Sequence, residues 1–486
     1  MKRALFTAFV VHAGIVLGQE LTADEVRSVV EHAASSVGSH GLAIAVTNRQ
    51  GNILALFRAP GVPDTAIGNF GASVDTNELA VALARTASFF SNNQAPLSSR
   101  TVRFISGVHF PPGISFTPSA ALYGIENTNR GCGFNTIFIP GKEVPPARSI
   151  DGTQPGLGIQ TGKADLNDSI PEAVNPGGVP LFRNGVVVGG VGVAGSSGAV
   201  AEYAAFSGAI AAGFVPTPAA PGVIFINGIE LPFVSQTTAP DGVAAGNLQG
   251  DFLIGPLDSP APAPEGDLVA PHDGSALSAA EVRQILDRAI ATANETRAVI
   301  RLPIGSRARM VIAVTDIDGT VLGLNRMTDA TFFSVDVAVA KARNMVYFSS
   351  PAGPTDLPGV PGGTAVTNRT VGFGAQPFFP PGIDGSDHGP FFDLYVKDTA
   401  NPCTQGSQPA NPNQNGIVFF PGALPLYKDG VLVGGLGVSG DGVEQDDYVT
   451  SGAAQGFEAA PDSRADRVFI DGVRMPYLKF PRNPTK

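Results

Sequence analysis

The amino-acid sequence contains one pattern in two copies, and this repeat constrains the fold more than any other feature. Segment 178–193 returns as 423–438, and in each a Pro-Leu-aromatic strand, a two-residue turn and a Val-Gly-Gly-x-Gly-Val strand follow one another. Segment 21–27 likewise returns as 277–283. Because internal self-similarity indicates repeated structural units, the sequence predicts two homologous domains.

The domain boundaries follow from where the two copies begin and end. The first predicted domain covers residues 21–235, and the second covers residues 277–481. Between them, residues 236–276 contain the run Pro-Ala-Pro-Ala-Pro at 260–264. Because Pro-rich segments are extended and stiff, we expect residues 236–276 to form a semi-rigid linker.

Each copy begins with a helix that carries a capping box. Thr22 stands three residues before Glu25, and Ser278 stands three residues before Glu281. In this arrangement the hydroxyl and the carboxylate each accept a backbone N–H group that the first helical turn leaves without a partner. The sequence therefore predicts that a helix begins at the same place in both copies.

Hairpins and helices alternate along the rest of each copy. In the first copy, strands over 42–47 and 52–58 flank a short turn, and a second helix covers about 75–90. Asn-Gly at 184–185 and Asp-Gly at 429–430 favour type I′ turns between paired strands, and a third helix follows each hairpin. These elements predict an α+β fold in which helices flank an antiparallel sheet.

Each copy also carries a long insertion between its second helix and the Pro-Leu hairpin. The insertions cover about 91–176 and 350–420, and they share the motif Phe-Pro-Pro-Gly-Ile at 110–114 and 379–383. Loops of this length are usually functional or interactive rather than simple connections. We therefore expect the insertions to take part in whatever the protein binds.

Charge and hydropathy exclude several classes of function. The net charge is −11, and no run of Lys or Arg provides the cationic stripe that nucleic acids require. Residues 1–18 have the order of a secretory signal peptide, with Lys2 and Arg3 before an apolar stretch. Beyond them, no apolar stretch reaches the roughly 18 residues of a membrane span. We therefore expect a secreted or periplasmic protein without a membrane span or a nucleic-acid partner.

Three motifs of the second copy occur in a characteristic order. They are Ala-Val-Thr-Asp at 313–316, Lys-Ala-Arg at 341–343 and Gly-Gly-x-Gly-Val-Ser-Gly-x-x-x-Glu-Gln-Asp at 434–446. Together they resemble the haem-binding GlcG/HbpS family, also called the haem-degrading domain family. The resemblance implies a profilin-like domain that self-associates, two of which form a pseudo-dimer here, and a ligand that is haem or a related tetrapyrrole.

The first copy resembles this family less closely than the second. Leu83 stands where the second copy has Lys341, and residues 199–202, Ala-Val-Ala-Glu, stand where it has Glu-Gln-Asp-Asp at 444–447. Family functions that depend on those charged positions are therefore expected in the second copy.

Four aromatic residues of the insertions are candidate haem ligands. His109 and His388 lie near Phe and Pro residues, and Tyr123 and Tyr395 occupy corresponding places in the two insertions. Imidazole and tyrosinate both serve as axial ligands of haem iron. The alternative is that the histidines form hydrogen bonds with the backbone of their own loops.

Five charged residues complete the candidate cofactor site. Arg100 and Arg369 are candidates for bidentate pairing with haem propionates; alternatively, they hold the insertions in place. Lys341, Glu444 and Asp446 belong to the family motif. The alternative for the two carboxylates is that they stabilise the start of the third helix through its dipole.

The Gly-Gly-x-Gly motifs at 189–192 and 434–437 lie within a strand pattern. A phosphate-binding loop instead places its glycines between a strand and a helix. We therefore interpret these glycines as positions where a backbone or a ligand approaches the strand closely.

The two cysteines, Cys132 and Cys403, occupy corresponding places in the two insertions. Equivalent points of a pseudo-twofold pair can meet at its axis, and the compartment of an exported protein permits a disulfide. An inter-domain disulfide between them is our first hypothesis, and free thiols and metal or haem ligation are the alternatives.

Three functions remain open from the sequence. The first is an exported protein that binds haem or another tetrapyrrole. The second is a non-catalytic structural or interaction protein that assembles through its insertions. The third is a small-molecule enzyme, which has the weakest support because no paired acid and base residues stand out.

Overall fold

The computed structural model describes residues 20–38, 40–68, 71–130, 176–214 and 224–486. The predicted signal peptide lies outside these residues. The first half contributes the helices α1 (Ala23–Ser36), α2 (Thr76–Phe90), α3 (Ser99–Phe104) and α4 (Gly198–Ala211). The second half contributes α5 (Ala279–Glu295), α6 (Ser334–Phe348), α7 (Asn368–Gly374), α8 (Phe392–Ala400) and α9 (Val443–Ala453).

The strands follow the same division. Those of the first half are β1 (Ala43–Asn48), β2 (Ile53–Arg58), β3 (Thr65–Ile67), β4 (Ser73–Asp75), β5 (Gly178–Arg183), β6 (Val186–Ala194), β7 (Phe225–Ile226) and β8 (Ile229–Glu230). The segment between the halves contains β9 (Asp251–Ile254) and β10 (Gly266–Val269). Those of the second half are β11 (Val311–Thr315), β12 (Val321–Arg326), β13 (Ala423–Lys428), β14 (Val431–Ser439), β15 (Phe469–Ile470) and β16 (Val473–Arg474).

The capping boxes and the hairpin turns form as the sequence predicts. In α1 the Thr22 hydroxyl accepts the Glu25 N–H at 3.3 Å, and the Glu25 carboxylate accepts the Thr22 N–H at 2.9 Å. The same reciprocal pair opens α5. Asn184 and Asp429 have φ of 51°, and the glycine after each has φ near 80°. Two successive positive φ angles are the requirement of a type I′ turn.

Two five-stranded antiparallel sheets carry the fold. Their strand orders are β5-β6-β1-β2-β9 and β13-β14-β11-β12-β10, so corresponding strands occupy the same positions in both. This is a mixed α+β architecture with helices on both faces of each sheet. In the first half, Ile44 and Val46 pack with α1 and α4, whereas Ala43 and Ala45 pack beneath α2 on the other face.

The segment predicted as a linker contributes a strand to each sheet. Phe252 of β9 pairs with Phe57 of β2, and Asp267 of β10 pairs with Asn325 of β12. Both strands have only four residues. Segments this short show too few alternating apolar positions to indicate a strand in the sequence.

The two halves pack against each other where α2 ends and α6 begins. The rings of Phe90 and Phe333 stack with centroids 4.1 Å apart, and the Phe332 N–H donates to the Phe89 carbonyl at 3.0 Å. All fifteen residues of α6 are buried, because the second insertion covers the face that the sheet leaves open. None of the helices in the described ranges is long and apolar enough to cross a membrane.

Candidate functional site

The Gly-Gly-x-Gly strands allow a helix to lie directly on each sheet. A Cβ atom at Gly435 or Gly437 would lie 2.0 Å from a carbonyl oxygen of α6. At Gly190 and Gly192 of β6 the corresponding distances to α2 are 2.3 and 2.1 Å. The glycines are therefore required by close packing of helix against strand, as the sequence predicts, and they bring the side chains of α6 next to those of α9.

Lys341 of α6 forms a buried ion pair with Asp446 of α9. The Lys341 ammonium donates to Asp446 Oδ2 at 3.0 Å and to the Val438 carbonyl at 2.8 Å, and its side chain is fully buried. The ring of Phe420 lies 4.9 Å from the ammonium. Burial raises the pKa of Asp446 to about 7, although the charge of Lys341 acts in the opposite direction. Burial also disfavours the charged form of Lys341 and therefore lowers its pKa.

Arg369 of α7 extends this pair into a cluster of four charges. Its Nε donates to Asp447 Oδ2 at 2.5 Å, and the Asp447 carboxylate also accepts the backbone N–H of Lys479 at 3.0 Å. Burial raises the pKa of Asp447, against the lowering effect of Arg369. The Nη2 atom of Arg369 is buried and has no hydrogen-bond partner within the described residues. We call Lys341, Asp446, Asp447 and Arg369 the charged quartet.

The first half keeps one of the two ion pairs. Arg100 of α3 donates to Glu202 of α4 from both Nε and Nη2, at 2.8 and 3.0 Å. Leu83 and Ala201 stand at the positions of Lys341 and Asp446, and both belong to the apolar core. The second half therefore differs from the first by a complete buried ion pair rather than by one isolated charge.

A groove of about 730 Å³ opens beside α7 and α9 in the second half. Its apolar lining consists of Phe373, Leu424, Met475, Pro476, Tyr477, Leu478 and Phe480. Its polar lining consists of Arg369, Ser451, Glu458, Arg464, Asp466, Arg474 and Lys479. Basic residues outnumber acidic ones here, although the chain as a whole has a net charge of −11. The groove is therefore a locally basic surface with an apolar wall.

Three basic residues at the edge of this groove, Arg464, Arg474 and Lys479, form what we call the basic rim. Arg464 donates to the Ala459 carbonyl at 3.1 Å, and its guanidinium lies over the Tyr477 ring. Arg474 and Lys479 pair with acidic side chains at 3.1 and 2.5 Å. Their side chains remain 57% and 66% exposed, respectively, so a ligand reaches them without unfolding the protein.

The predicted axial ligands lie elsewhere, in the two insertions. His109 contacts Asp384 with 2.9 Å between Nε2 and Oδ1, which joins one insertion to the other. His388 is exposed, and its ring lies 4.0 Å from that of Phe392. Within the described residues, neither histidine lines the groove.

Tyr123 and Tyr395 meet at the contact between the insertions. Their rings stack with centroids 5.0 Å apart, and both side chains are buried. Burial raises the pKa of Tyr395, and the neighbouring carboxylates of Glu126 and Asp398 add to this effect. A phenol with a raised pKa resists ionisation, so this environment disfavours tyrosinate ligation and favours a packing role.

The remaining predicted site residues lie in four places. Arg369 lines the groove, whereas Arg100 lies in the first half and pairs with Glu202. Lys341 and Asp446 lie behind the groove in the charged quartet, and Glu444 pairs with Lys479 of the basic rim. Cys403 is disulfide-bonded. Cys132 lies outside the described residues, so its pairing with Cys403 stays a prediction.

Residues of the C-terminal segment 458–480 were not predicted from the sequence as site residues. A signal for them exists in the repeat itself. The two tails match at Phe225 and Phe469, yet Arg474 stands opposite Glu230. A charge reversal within an otherwise matching segment identifies a position where the two copies have different roles.

Within the described ranges, no cluster of three or more His, Cys, Asp or Glu residues is arranged to hold a metal ion. The groove offers instead one thioether, one phenol and two carboxylates together with its basic residues. Burial raises the pKa of the Tyr477 phenol far above its usual value. This set of groups is suited to an organic anion rather than to a bare cation.

Comparison with known proteins gives one family match and several structural matches. Residues 277–455 match the family described as haem-degrading protein, HbpS-like. A PduOC–haem complex is 24% identical, with 38% of this chain and 97% of that chain covered and a TM-score of 0.25. Klebsiella pneumoniae protein ORFY is 19% identical, with 42% of this chain and 99% of that chain covered and a TM-score of 0.25. A double mutant of Streptomyces reticuli HbpS is 18% identical, with 40% of this chain and 96% of that chain covered and a TM-score of 0.23. No curated protein matches the chain significantly.

Proposed function

We propose that this protein binds haem or a related tetrapyrrole in the groove of its second half, because residues 277–455 match the family described as haem-degrading protein, HbpS-like. The single observation that carries the proposal is the composition of the groove. It combines an apolar wall with a basic rim in a chain of net charge −11. A tetrapyrrole with two propionates has the complementary pattern, a flat apolar body with an anionic edge.

The size of the groove agrees with this ligand class. Ligand sites in proteins usually measure roughly 300 to 1,000 Å³, and this groove measures about 730 Å³. Phe373, Tyr477 and Phe480 provide aromatic surface for the porphyrin face. Apolar burial supplies most of the affinity in such sites, and a few polar groups set the orientation.

The polar groups of the groove fit the edge of the porphyrin. Arg369 lines the groove and has a buried Nη2 without a hydrogen-bond partner within the described residues. A buried N–H group without a partner is costly, and a ligand carboxylate would remove that cost. Arg464 and Arg474 would bind the same anionic edge through charge-assisted hydrogen bonds.

The residues of this chain therefore hold the periphery of the ligand. When bound, haem supplies a redox-active iron. Burial and the raised pKa of Tyr477 oppose its use as a tyrosinate, so its ring packs against the ligand instead. Binding by this protein rests on Arg369, the basic rim and the aromatic wall.

A titration with ferric haem tests the proposal. The protein contains no Trp, so the haem Soret band provides the signal. We expect a saturable Soret shift at micromolar haem. Phe480→Asp, which places a charge on the apolar wall, should weaken binding. Phe225→Asp is the matched control, because Phe225 and Phe480 are both 47% exposed and Phe225, in the first half, does not line the groove.

The outcome also separates haem binding from the other functions. An unchanged Soret spectrum at micromolar haem would reject the proposal and favour a structural protein. A Soret band that forms and then decays when a reductant and dioxygen are both supplied, for more than one equivalent of haem per chain, would instead show that the protein degrades haem and acts as an enzyme.

The structural alternative has one specific observation in its favour. The tips of the two insertions expose Ile114, Phe116 and Ile383, and Phe116 is 66% exposed. Exposed apolar side chains that cluster at a surface are typical of interaction sites. Self-association through these tips predicts that Phe116→Ser lowers the oligomer mass measured by light scattering.

We further propose that the two halves form a pseudo-dimer of profilin-like domains and that the protein is exported after cleavage near residue 19. The common strand order of the two sheets supports the first statement. The disulfide at Cys403 supports the second, because disulfides persist mainly in oxidising compartments. Peptide mapping without reduction tests the pairing with Cys132, and N-terminal sequencing of the secreted protein tests the cleavage.

A further inference from the structure

We propose that each chain binds one tetrapyrrole, because the first half has lost the groups that receive the carboxylates of the ligand. The inference rests on the proposed function and adds to it the number of sites and the residues that determine that number.

The backbone establishes which residues of the two halves are equivalent. In the hairpin β7-β8, Phe225 pairs with Glu230, and in β15-β16, Phe469 pairs with Arg474. Glu230 and Arg474 therefore hold the same place in the same hairpin. In each half, a backbone N–H group of the segment after this hairpin donates to the acidic residue that pairs with the arginine of the insertion.

Ser235 and Lys479 are equivalent because each lies ten residues after the matching phenylalanine of its hairpin, Phe225 or Phe469. The N–H of Ser235 donates to Glu202 at 3.1 Å, and the N–H of Lys479 donates to Asp447 at 3.0 Å. The first half therefore has Glu230 where the basic rim has Arg474, and Ser235 where it has Lys479. One charge is inverted and a second is removed, so this surface of the first half repels an anion that the groove attracts.

The insertion arginines differ in the same direction. Arg100 uses both Nε and Nη2 to bind Glu202, so this fork of its guanidinium is occupied. Arg369 uses Nε to bind Asp447, and its Nη2 has no hydrogen-bond partner within the described residues. Glutamate is one methylene longer than aspartate, which allows it to reach both nitrogens. Arg369 thus retains a donor for a ligand, whereas the equivalent donor of Arg100 is already used.

Titration of the full chain at a protein concentration well above the dissociation constant tests the number of sites. We expect the Soret signal to reach its end point at one haem per chain, and native mass spectrometry should show one haem adduct. An end point at two haems per chain contradicts this inference while supporting the proposed function. Absence of binding by both methods rejects the proposed function and this inference together.

Two matched exchanges test which residues set the number. R474E with K479S gives the groove the residues of the first half, and we expect it to weaken binding at least about tenfold, as loss of charged hydrogen bonds predicts. E230R with S235K makes the reverse exchange in the first half, and the affinity of the groove should stay unchanged. If the first exchange leaves affinity unchanged, or the second lowers it, the assignment is wrong.

A conservative exchange tests Arg369 without removing a charge. In D447E the longer carboxylate is expected to occupy both nitrogens of Arg369, as Glu202 does for Arg100, and affinity for haem should fall severalfold. E202D in the first half is the matched control and should leave affinity unchanged. Because both variants keep their ion pairs, circular dichroism should show the native fold, and equal affinities of D447E and the wild type would contradict the role of Nη2.

Discussion

The ammonium of Lys341 lies 3.0 Å from Asp446 Oδ2, and both side chains are almost completely buried. Removing two charges from water is costly, and their mutual attraction repays that cost only in good geometry with further hydrogen bonds. The Val438 carbonyl supplies one such bond to Lys341, but Asp446 Oδ1 has no hydrogen-bond partner within the described residues. The pair is therefore a costly feature, and the first half does without it.

We expect that replacing Lys341 and Asp446 by Leu and Ala, the residues of the first half, has strongly non-additive effects on the free energy of unfolding. Lys341→Leu alone leaves Asp446 as an unpaired buried carboxylate, and the free energy of unfolding should fall by about 3 to 5 kcal/mol. Asp446→Ala alone leaves Lys341 unpaired at a similar cost. The double variant, which reproduces Leu83 and Ala201, should lie much closer to the wild type. Urea unfolding of the four proteins measures the coupling.

The control for this cycle is the equivalent exchange on the exposed pair of Arg283 and Asp287, where coupling should stay below about 1 kcal/mol. Additive effects of Lys341→Leu and Asp446→Ala would show that the two charges do not stabilise each other.

The raised pKa of Asp446 predicts a pH dependence of stability. Burial raises this pKa to about 7 in the folded protein, whereas an unfolded Asp has a pKa of about 3.9. The folded state therefore binds more protons between these two values, and the free energy of unfolding falls as the pH rises through this window. The double variant lacks this contribution, so its stability relative to the wild type should improve from pH 4 to pH 7.

Urea midpoints of the wild type and the double variant at pH 4, 5, 6 and 7 measure this difference. Asp447 contributes with the same sign, and the charge of Lys341 lowers its pKa, so its contribution changes when Lys341 is removed. Repeating the comparison in an Asp447→Asn background removes this titration. The lowered pKa of Lys341 has the opposite sign, because the folded state then binds fewer protons than the unfolded state, and the comparison ends at pH 7 to limit this contribution. A constant difference across the range would contradict the assigned titration.

The helix-strand contact at Gly435 predicts that even one methyl group is not tolerated there. The Cβ of Gly435→Ala would lie 2.0 Å from the carbonyl oxygen of Ala342, so α6 must move away from the sheet. Overpacking of a core costs roughly 1 to 3 kcal/mol or more, and we expect the thermal midpoint to fall accordingly.

Gly430→Ala provides the control for this effect. Its Cβ would meet nothing within 4 Å, and only the left-handed backbone at φ 80° opposes it, at about 1 to 2 kcal/mol. If both variants lose the same stability, the contact between helix and strand is not what requires glycine at 435.

Local chemistry explains which parts of the fold the sequence predicts. The capping boxes at Thr22 and Ser278 and the type I′ turns each depend on a few adjacent residues, so the sequence indicates them directly. The glycines of β6 and β14 indicate close packing for the same reason, because their role follows from the absence of a side chain. The repeat then predicts these same elements in both halves.

Features that depend on distant contacts were not predictable in this way. The strands β9 and β10 form because an edge of each sheet is available to them. The four residues of each strand contain no pattern that indicates this pairing. Arg369 was predicted to bind a propionate, but its contact with Asp447, 78 positions away, becomes visible only in the folded chain. The groove combines α7 with the C-terminal hairpin, and its basic rim depends on that meeting of separate segments.

The contact between His109 and Asp384 predicts that the tips of the two insertions open at acidic pH. Burial raises the pKa of Asp384, but the hydrogen bonds from His109 and from the Phe116 N–H outweigh it and lower the pKa below its usual value. A carboxylate with a lowered folded pKa stabilises the protein above its unfolded pKa of about 3.9, and this contribution is lost as the pH falls through the folded value.

Asp384→Asn removes the charge at every pH. Hydrogen exchange at residues 110–118 should therefore be faster in the variant than in the wild type at pH 6. After correction for intrinsic exchange, the two rates should converge as the pH falls through the folded pKa of Asp384. Asp387→Asn is the control, because Asp387 is exposed on the same loop as Asp384. Its backbone carbonyl, which the substitution keeps, accepts the Phe379 N–H. Equal protection of the Asp384→Asn variant and the wild type at pH 6 would show that the tips are held together by their apolar residues alone.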